Sequence, residues 1–393
     1  MNVRKPFKRL TALLLLCLLA VPGCAAEESN DVRLLCLNIG KADCMLLFWQ
    51  DQVYLIDTGL EQTWPALETA LSQYGVDRLN GVILTHCHKD HAGGMISLSE
   101  SDIQVDAWYA SPVYFSTDAE AHPAVLAAAK RGQSVTWLNA GDVIDCAGGA
   151  SFTVLGPLSL DTENENNNSL VLRFSSPAGS ILLAGDMKTE EEEDLLAAGK
   201  LTACDVLKCG HHGDNNATGE DLLSVVRPKA ALILTSTREE PDTPAASTVK
   251  RLNRADCEIY VSQEYSDAFL LTLSNGTIDV QDVKWAGVPE AVKGLSLSID
   301  LANDAVTIRN ESKSAVTLKD CLLFSSRGGE SCALPEITLP AGASYVIGSN
   351  TTKIQTDYVW NDKKIWHKSK RDVAILYDAY GRPLACTDNG LEE

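Results

Sequence analysis

Hydrophobic residues recur along this chain in two rhythms, and the change between them falls across Gln281 to Lys293. From Arg33 to about Val280, short apolar runs alternate with stretches of helical length. Leu34–Ile39, Cys44–Trp49 and Val53–Ile56 read as consecutive strands, separated by turns at Gly40-Lys41 and Asp51-Gln52. A helix is expected from Trp64-Pro65 to Tyr74, because proline suits a first turn and Gly75 suits the position just past the end. Further strands are expected at Gly81–Leu84, Val105–Tyr109, Val135–Leu138, Phe152–Leu155, Leu170–Phe174 and Ser180–Ala184. Asp205–Leu207, Ala230–Leu234, Glu258–Val261, Phe269–Leu273 and Thr277–Val280 continue the series, with helices at Glu190–Ala198, Glu220–Val226 and Ala246–Asn253. Two mixed sheets with helices on their outer faces satisfy this order, which predicts an α/β unit over residues 32–282. Beyond the break the runs become short and alternating: Leu295–Leu301, Ala305–Asn310, Ala315–Phe324, Tyr345–Gly348 and Val373–Tyr377. With turns at Gly328-Gly329 and Pro340-Ala341-Gly342, they predict a separate all-β sandwich over residues 293–390.

The first residues follow neither rhythm. Arg4, Lys5, Lys8 and Arg9 precede an apolar segment, Leu10 to Val21, too short to span a bilayer as a mature helix. This reads as a signal peptide over residues 1–26. The step Leu19-Ala20-Val21-Pro22-Gly23-Cys24 resembles a bacterial lipobox, in which Cys24 is lipidated; cleavage after Ala26, giving a free secreted protein, is the alternative. The expectation is an extracytoplasmic bacterial protein, either secreted or a membrane-anchored lipoprotein that meets the membrane only through Cys24.

Charge narrows the partners. The chain has 33 basic and 53 acidic side chains, and loses four of the basic ones with the leader. So acidic a surface repels polyanions at long range and argues against a protein that coats nucleic acid. Contact with phosphate must be local, and bound metal ions are one source of local positive charge. Of the twelve cysteines none forms a C-x-x-C pair, which argues against a structural zinc knuckle. Cys36, Cys44, Cys204 and Cys257 lie in or beside apolar strands and read as small core residues. Cys321 and Cys332 could pair across two strands, with Cys386 as a rival partner.

The densest chemistry is His86-Cys87-His88-Lys89-Asp90-His91, between the apolar run Gly81–Thr85 and Ala92-Gly93-Gly94. Three imidazoles and a carboxylate this close repel one another as they protonate, whereas neutral imidazole and carboxylate are what a divalent metal binds. Alternate spacing sends His86 and His88 to one point and lets Asp90 and His91 reach a second, which suggests two metals. A solvated polar loop is the alternative. A second cluster, His211-His212, follows another strand. His122 lies in the helical stretch Ala121–Lys130 and reads as a surface residue.

His86-x-His88-x-Asp90-His91 after an apolar strand resembles the signature of the metallo-β-lactamase fold, an αββα sandwich with a dimetal site at one edge of its sheets. More narrowly, residues 32–280 resemble the extracytoplasmic hydrolase domain of the competence protein ComEC and its secreted relatives. The blocks that carry the likeness are Asn38 to Cys44, Leu55 to Gly59, the histidine cluster, Asn166 to Leu172, Leu182 to Asp186 and Asp205 to Gly213. The resemblance implies that His86 and His88 bind one metal, that Asp90 and His91 bind another, and that Asp186 bridges them. It further implies that one of His211 and His212 completes the second site, with His211 favoured. Asn166 and Ser169 match an asparagine and serine of the group, which places Asn166 on metal or substrate or in a plain turn. Asp57 would orient a ligand imidazole. Lys208 would neutralise a phosphate oxygen, or else pair with a carboxylate.

The chain departs from the group in two places. Relatives have serine after the His-His-Gly step and a histidine-proline segment near a later helix; here stand Asp214-Asn215-Asn216 and Pro241-Asp242-Thr243-Pro244. Both places border the substrate. The C-terminal region resembles the lamin-tail domain, an immunoglobulin-like sandwich, through Asp304 to Asn310, Leu339 to Ala343 and Asp372 to Gly381. Its ligand is left open.

Taken together, the resemblance implies hydrolysis by a metal-bridged hydroxide, with two divalent ions, zinc or manganese, as cofactors. The leading expectation is a phosphodiesterase or nuclease, with extracellular DNA among its substrates. A hydrolase of another phosphoester or of a small ester or lactone is the alternative among enzymes. A non-catalytic surface adhesion protein is the alternative outside them.

Overall fold

The computed structural model describes residues 30–112 and 121–392. The leader expected at residues 1–26, with Cys24, lies outside the described residues.

Alternate side chains of a strand face opposite ways, and the central strands of the N-terminal region are apolar on both faces. Leu34 and Cys36 of Val32–Leu37 therefore enter one apolar layer, and Leu35 and Leu37 another. The first sheet runs Thr277–Val283, Ala268–Ser274, Val32–Leu37, Met45–Trp49, Gln52–Ile56, Gly81–Leu84, Trp108–Ala110 and Val135–Trp137 in spatial order. The second runs Glu258–Val261, Ala230–Ile233, Val206–Lys208, Gly179–Leu183, Val171–Ser176, Ser151–Gly156 and Val143–Asp145.

Three apolar layers hold them. Trp49, Phe152 and Phe174 lie between the sheets. Helices Trp64–Gln73, Met95–Glu100 and Pro123–Lys130 cover the first sheet through residues such as Leu67, Leu98 and Ala127. Helices Thr189–Ala197, Glu220–Val226 and Ala246–Arg254 cover the second through Leu195, Leu223 and Leu252. The result is the expected αββα sandwich.

Two elements differ from the sequence expectation. The strand expected over Val105–Tyr109 splits into Gln104–Val105, paired with Arg78–Leu79, and Trp108–Ala110 in the main sheet. Asp106 sits at the break, with both its carboxylate oxygens 2.9 Å from Arg78 Nε. Val143–Asp145 is an edge strand with one buried residue in three, too little apolar pattern to announce itself.

The C-terminal region is all β. One sheet holds Leu295–Asp300, Ala305–Asn310, Ser344–Ser349 and Tyr358–Trp360, and another holds Ser331–Ala333, Leu322–Ser325, Val373–Tyr377 and Pro383–Asp388. Val306, Leu323, Trp366 and Leu376 fill the space between them. Cys321 and Cys332 are free thiols. The register explains this: Cys332 stands opposite Leu323, two residues from Cys321, and such diagonal neighbours lie about 7–8 Å apart, beyond a disulfide's reach.

Candidate metal centre

Parallel pairing brings the site together. Gln52–Ile56 runs parallel to Gly81–Leu84, and Gly179–Leu183 runs parallel to Val206–Lys208. Asp57, the histidine cluster, Asp186 and His211-His212 therefore all emerge at C-terminal strand ends. The two edges are tied where Leu170 N–H donates to Thr85 O at 2.9 Å.

On the first sheet, Asp57 adopts a left-handed backbone, φ 57°. Its carboxylate accepts from Thr85 N and Thr85 Oγ1, both at 2.8 Å, and from His91 Nδ1 at 2.8 Å. A proton on His91 Nδ1 leaves the Nε2 lone pair facing inward. His86 Nδ1 lies 3.3 Å from Thr85 Oγ1, whose own proton goes to Asp57, so this imidazole too turns Nε2 inward.

On the second sheet, Gly185 turns the chain at φ 52°, where an added Cβ would come within 2.8 Å of Ser169. Ser169 Oγ accepts from Asp186 N at 3.1 Å and fixes the next residue. His212 Nδ1 faces Leu234 O at 2.9 Å; a carbonyl only accepts, so the proton is on Nδ1 and Nε2 is again a free lone pair.

These atoms converge. His91 Nε2 and His212 Nε2 each lie 3.3 Å from Asp186 Oδ2, and His212 Nε2 lies 3.3 Å from Asp90 Oδ2. His86 Nε2 lies 4.0 Å from the same Asp186 oxygen. Ligand atoms about 2.0–2.1 Å from a tetrahedral ion stand about 3.3 Å apart, so Asp90, His91, Asp186 and His212 fit a divalent cation. The Nε2 atoms of His86, His91 and His212 and Asp186 Oδ1 are buried without a hydrogen-bond partner, which a cation would remedy.

Electrostatics agree. Burial pushes the Asp186 carboxyl up, but His212 and His91 outweigh it and hold Asp186 well below the usual carboxylate range. Burial lowers His91 and His212, and Asp186 outweighs burial and raises both.

The remaining residues divide. His88 is partly exposed at the rim, its ring 4.7 Å from that of His86 and its Nε2 3.9 Å from Glu165 Oε2. Asn166 is buried at the wall, with Oδ1 unpartnered and Nδ2 3.2 Å from His211 Nε2. His211, favoured from the sequence, stands outside the ligand group. Its Nδ1 faces Asn216 Oδ1 at 2.8 Å and its Nε2 faces Asn166, so both nitrogens are engaged elsewhere. His212 stands in the group instead.

Lys208 takes the second of its two expected roles, pairing with a carboxylate. It is fully buried beneath the centre, ion-paired with Asp43, and donates to Gly185 O at 2.9 Å. It cannot meet a substrate phosphate; it neutralises Asp43, which Lys208 holds below its ordinary range against burial. His122, expected at the surface, is buried at 2% exposure; it caps Pro123–Lys130 and lies 3.1 Å from Cys87 Sγ.

Sequence reading passed over Asp43 and Glu165. Asp43 is a charge between apolar neighbours, the one signal that could have marked it. Glu165 hid in a polar run.

A cleft of about 1280 Å³ opens over the centre. Lys41, Asn166, Lys188 and His211 line it, and Arg371 of the C-terminal sandwich closes one side.

The chain is similar in sequence to several known proteins. ComE operon protein 3 of Bacillus subtilis is 30% identical over 280 residues, 66% of this chain and 34% of its own length. Competence protein ComA of Neisseria gonorrhoeae is 25% identical over 262 residues, 66% of this chain and 35% of its own length. The chain thus spans about a third of the length of these curated relatives. Among solved structures, the metallo-beta-lactamase fold protein YhfI of Bacillus subtilis is 12% identical, covering 64% of this chain and all of that one, with a TM-score of 0.39. The model of the metallo-beta-lactamase superfamily matches residues 38–237, just over half of the chain, and the chain belongs to that superfamily.

Proposed function

We propose that this chain is an extracytoplasmic, metal-dependent phosphodiesterase of the ComEC-like group, with DNA outside the cell as its substrate. The observation that carries the reading is the convergence of three buried, unpartnered imidazole nitrogens on one carboxylate at the floor of an open cleft. Asp90, His91, Asp186 and His212 would hold one divalent cation; His86 and His88, with Asp186 between, would hold a second. Such cations lower the pKa of water and stabilise charge on an attacked phosphoryl group.

The chain's own residues do the rest. Asp57 and Leu234 O hold His91 and His212 in the ligating tautomer. Ser169 fixes the Asp186 backbone, and Lys208 with Asp43 keeps the floor electrically balanced and dry. Asn166 faces the cleft and can orient an unattacked phosphate oxygen. One named relative is a competence protein, which supports the ComEC-like reading. Lipid anchoring at Cys24 and a lamin-tail role for the C-terminal sandwich belong to the same proposal. Among the described residues no helix is long and apolar enough to cross a membrane.

The test is purified full-length protein, with its metals measured, assayed on single- and double-stranded DNA, bis(p-nitrophenyl) phosphate and a lactone. Metal-dependent cleavage of DNA that disappears in His86→Ala and Asp90→Ala is expected. Lactone turnover without phosphodiester turnover would overturn the assignment.

A further inference from the structure

The sandwich does not simply follow the hydrolase unit; it is packed against it beside the centre. Arg371 bonds Glu240 Oε2 at 2.9 Å and Glu239 O at 2.7 Å. Lys89, inside the histidine cluster, donates to Ser326 O, and Arg382 lies 3.3 Å from Asp267 Oδ1. Between these ties lies a chamber of about 390 Å³ with Phe324, Val373 and Ile375 on the sandwich side and Lys41, Asp90 and Glu239 on the hydrolase side. Lys41, Asp90, Glu240 and Arg371 line both chamber and cleft, so the two are continuous.

Charge inside the chamber is distributed unevenly. Arg371 and Lys89 are spent on the interdomain bonds. Lys41 is not: its backbone N–H donates to Glu239 Oε2 at 3.0 Å, but among the described residues its ammonium makes no hydrogen bond or close ion pair. Among the described residues the guanidinium of Arg327, also on the chamber lining, makes no hydrogen bond or close ion pair. Lys41 lines both chamber and cleft together with Asp90 of the ligand group. Of its other acidic neighbours, Glu240 is already bonded to Arg371 and Asp214 lies 3.4 Å from His211 Nδ1, so the charge of Lys41 is left unpaired. In a chain of net charge −20, a surplus cation held partly buried at the mouth of a reaction cleft selects an anion.

Building on the phosphodiesterase reading, we propose that the interdomain chamber is a subsite for the phosphate adjoining the scissile one, with Lys41 as its principal cation and the sandwich as its far wall. The substrate class is then a polynucleotide chain, not a lone phosphodiester. The chamber has room for the sugar and base between the two phosphates.

Calorimetric titration of the metal-loaded full chain with dithymidine monophosphate, bare and carrying an extra phosphate at its 5′ or 3′ end, tests this. We expect one phosphorylated form to bind about tenfold tighter than the bare dinucleotide. Lys41→Met should erase that preference at unchanged metal content, and Lys41→Arg should keep most of it. Steady-state kinetics should show the loss in KM rather than kcat. No preference in the wild type, no binding of any form, or a preference that survives in Lys41→Met would each overturn the subsite. Failure of the phosphodiesterase reading looks different: the dinucleotides would bind with the preference intact and stay uncleaved.

Discussion

Each region of this molecule buries carboxylates, and Asp304 and Asp372 of the sandwich are satisfied in a different way from Asp186 and Asp43 of the N-terminal unit. In the C-terminal sandwich, Asp304 accepts from Ile365 N and Trp366 N, the latter at 3.0 Å. Asp372 accepts from Arg327 N and His367 N, both at 3.0 Å, and from Ser325 Oγ. These acids replace absent strand partners for the backbone and need nothing further. In the hydrolase unit, Asp186 faces imidazole nitrogens, and its Oδ1 has no hydrogen-bond partner. Asp43 has a buried lysine for company and no backbone donor within reach. A buried acid surrounded by amides closes a fold; one surrounded by imidazoles waits for a cation.

The largest test of this contrast is the exchange of neighbouring histidines. His212→Ala should lose bound metal by more than the roughly 10–100-fold typical of an outer-sphere change, whereas His211→Ala should stay within that range. Metal analysis after dialysis reads the difference. Equal losses would erase the distinction drawn between the two rings.

Lys208→Met removes the only cation beneath the centre among the described residues and leaves Asp43 buried and uncompensated. Breaking such a pair costs about 3–5 kcal/mol, read as a lower urea midpoint for the metal-free protein. Added metal should restore part of the loss, because a nearby cation again faces Asp43.

Asp372→Asn is the matching cut in the sandwich. One accepting oxygen becomes a donor facing a backbone N–H, for a loss of about 1–3 kcal/mol. Metal content should not change. A fall in metal would show that the sandwich acid serves the centre as well.

A pH dependence is expected at the boundary between the regions, and it vanishes at low pH. Burial raises the Glu239 carboxyl from 4.5 to about 7. A carboxyl raised on folding favours the fold while protonated, so stability is full below about pH 4.5 and is lost as pH rises through about 7. Glu239→Gln should flatten that slope and exceed the wild type at pH 8 by up to about 3 kcal/mol. Urea midpoints at pH 5 and pH 8 decide it.

Much of the hydrolase unit was legible in the chain because its central strands are apolar on both faces and punctuated by glycine and proline. Glu220–Val226 is found where the spacing predicts it, and Gly75 stops Trp64–Gln73 with φ 63° as a glycine past a helix should. The sandwich was legible only as a rhythm, since its short strands share one core whose pairing depends on long-range register. Clustering made the histidines conspicuous, but their tautomers, and therefore their roles, depend on Asp57, Thr85 and Leu234 O.

Residue types and their order along the chain determined that this protein would fold as an αββα sandwich with a β sandwich behind it, and that imidazoles and carboxylates would collect at strand ends. Only the tertiary structure decided that His212 turns inward while His211 turns to Asn216, and that Lys208 lies under the floor while Lys41 stands at the mouth. The reason is physical: periodicity records which face of an element is apolar. The direction of a lone pair and the depth of a charge depend on atoms that distant segments bring to the same place.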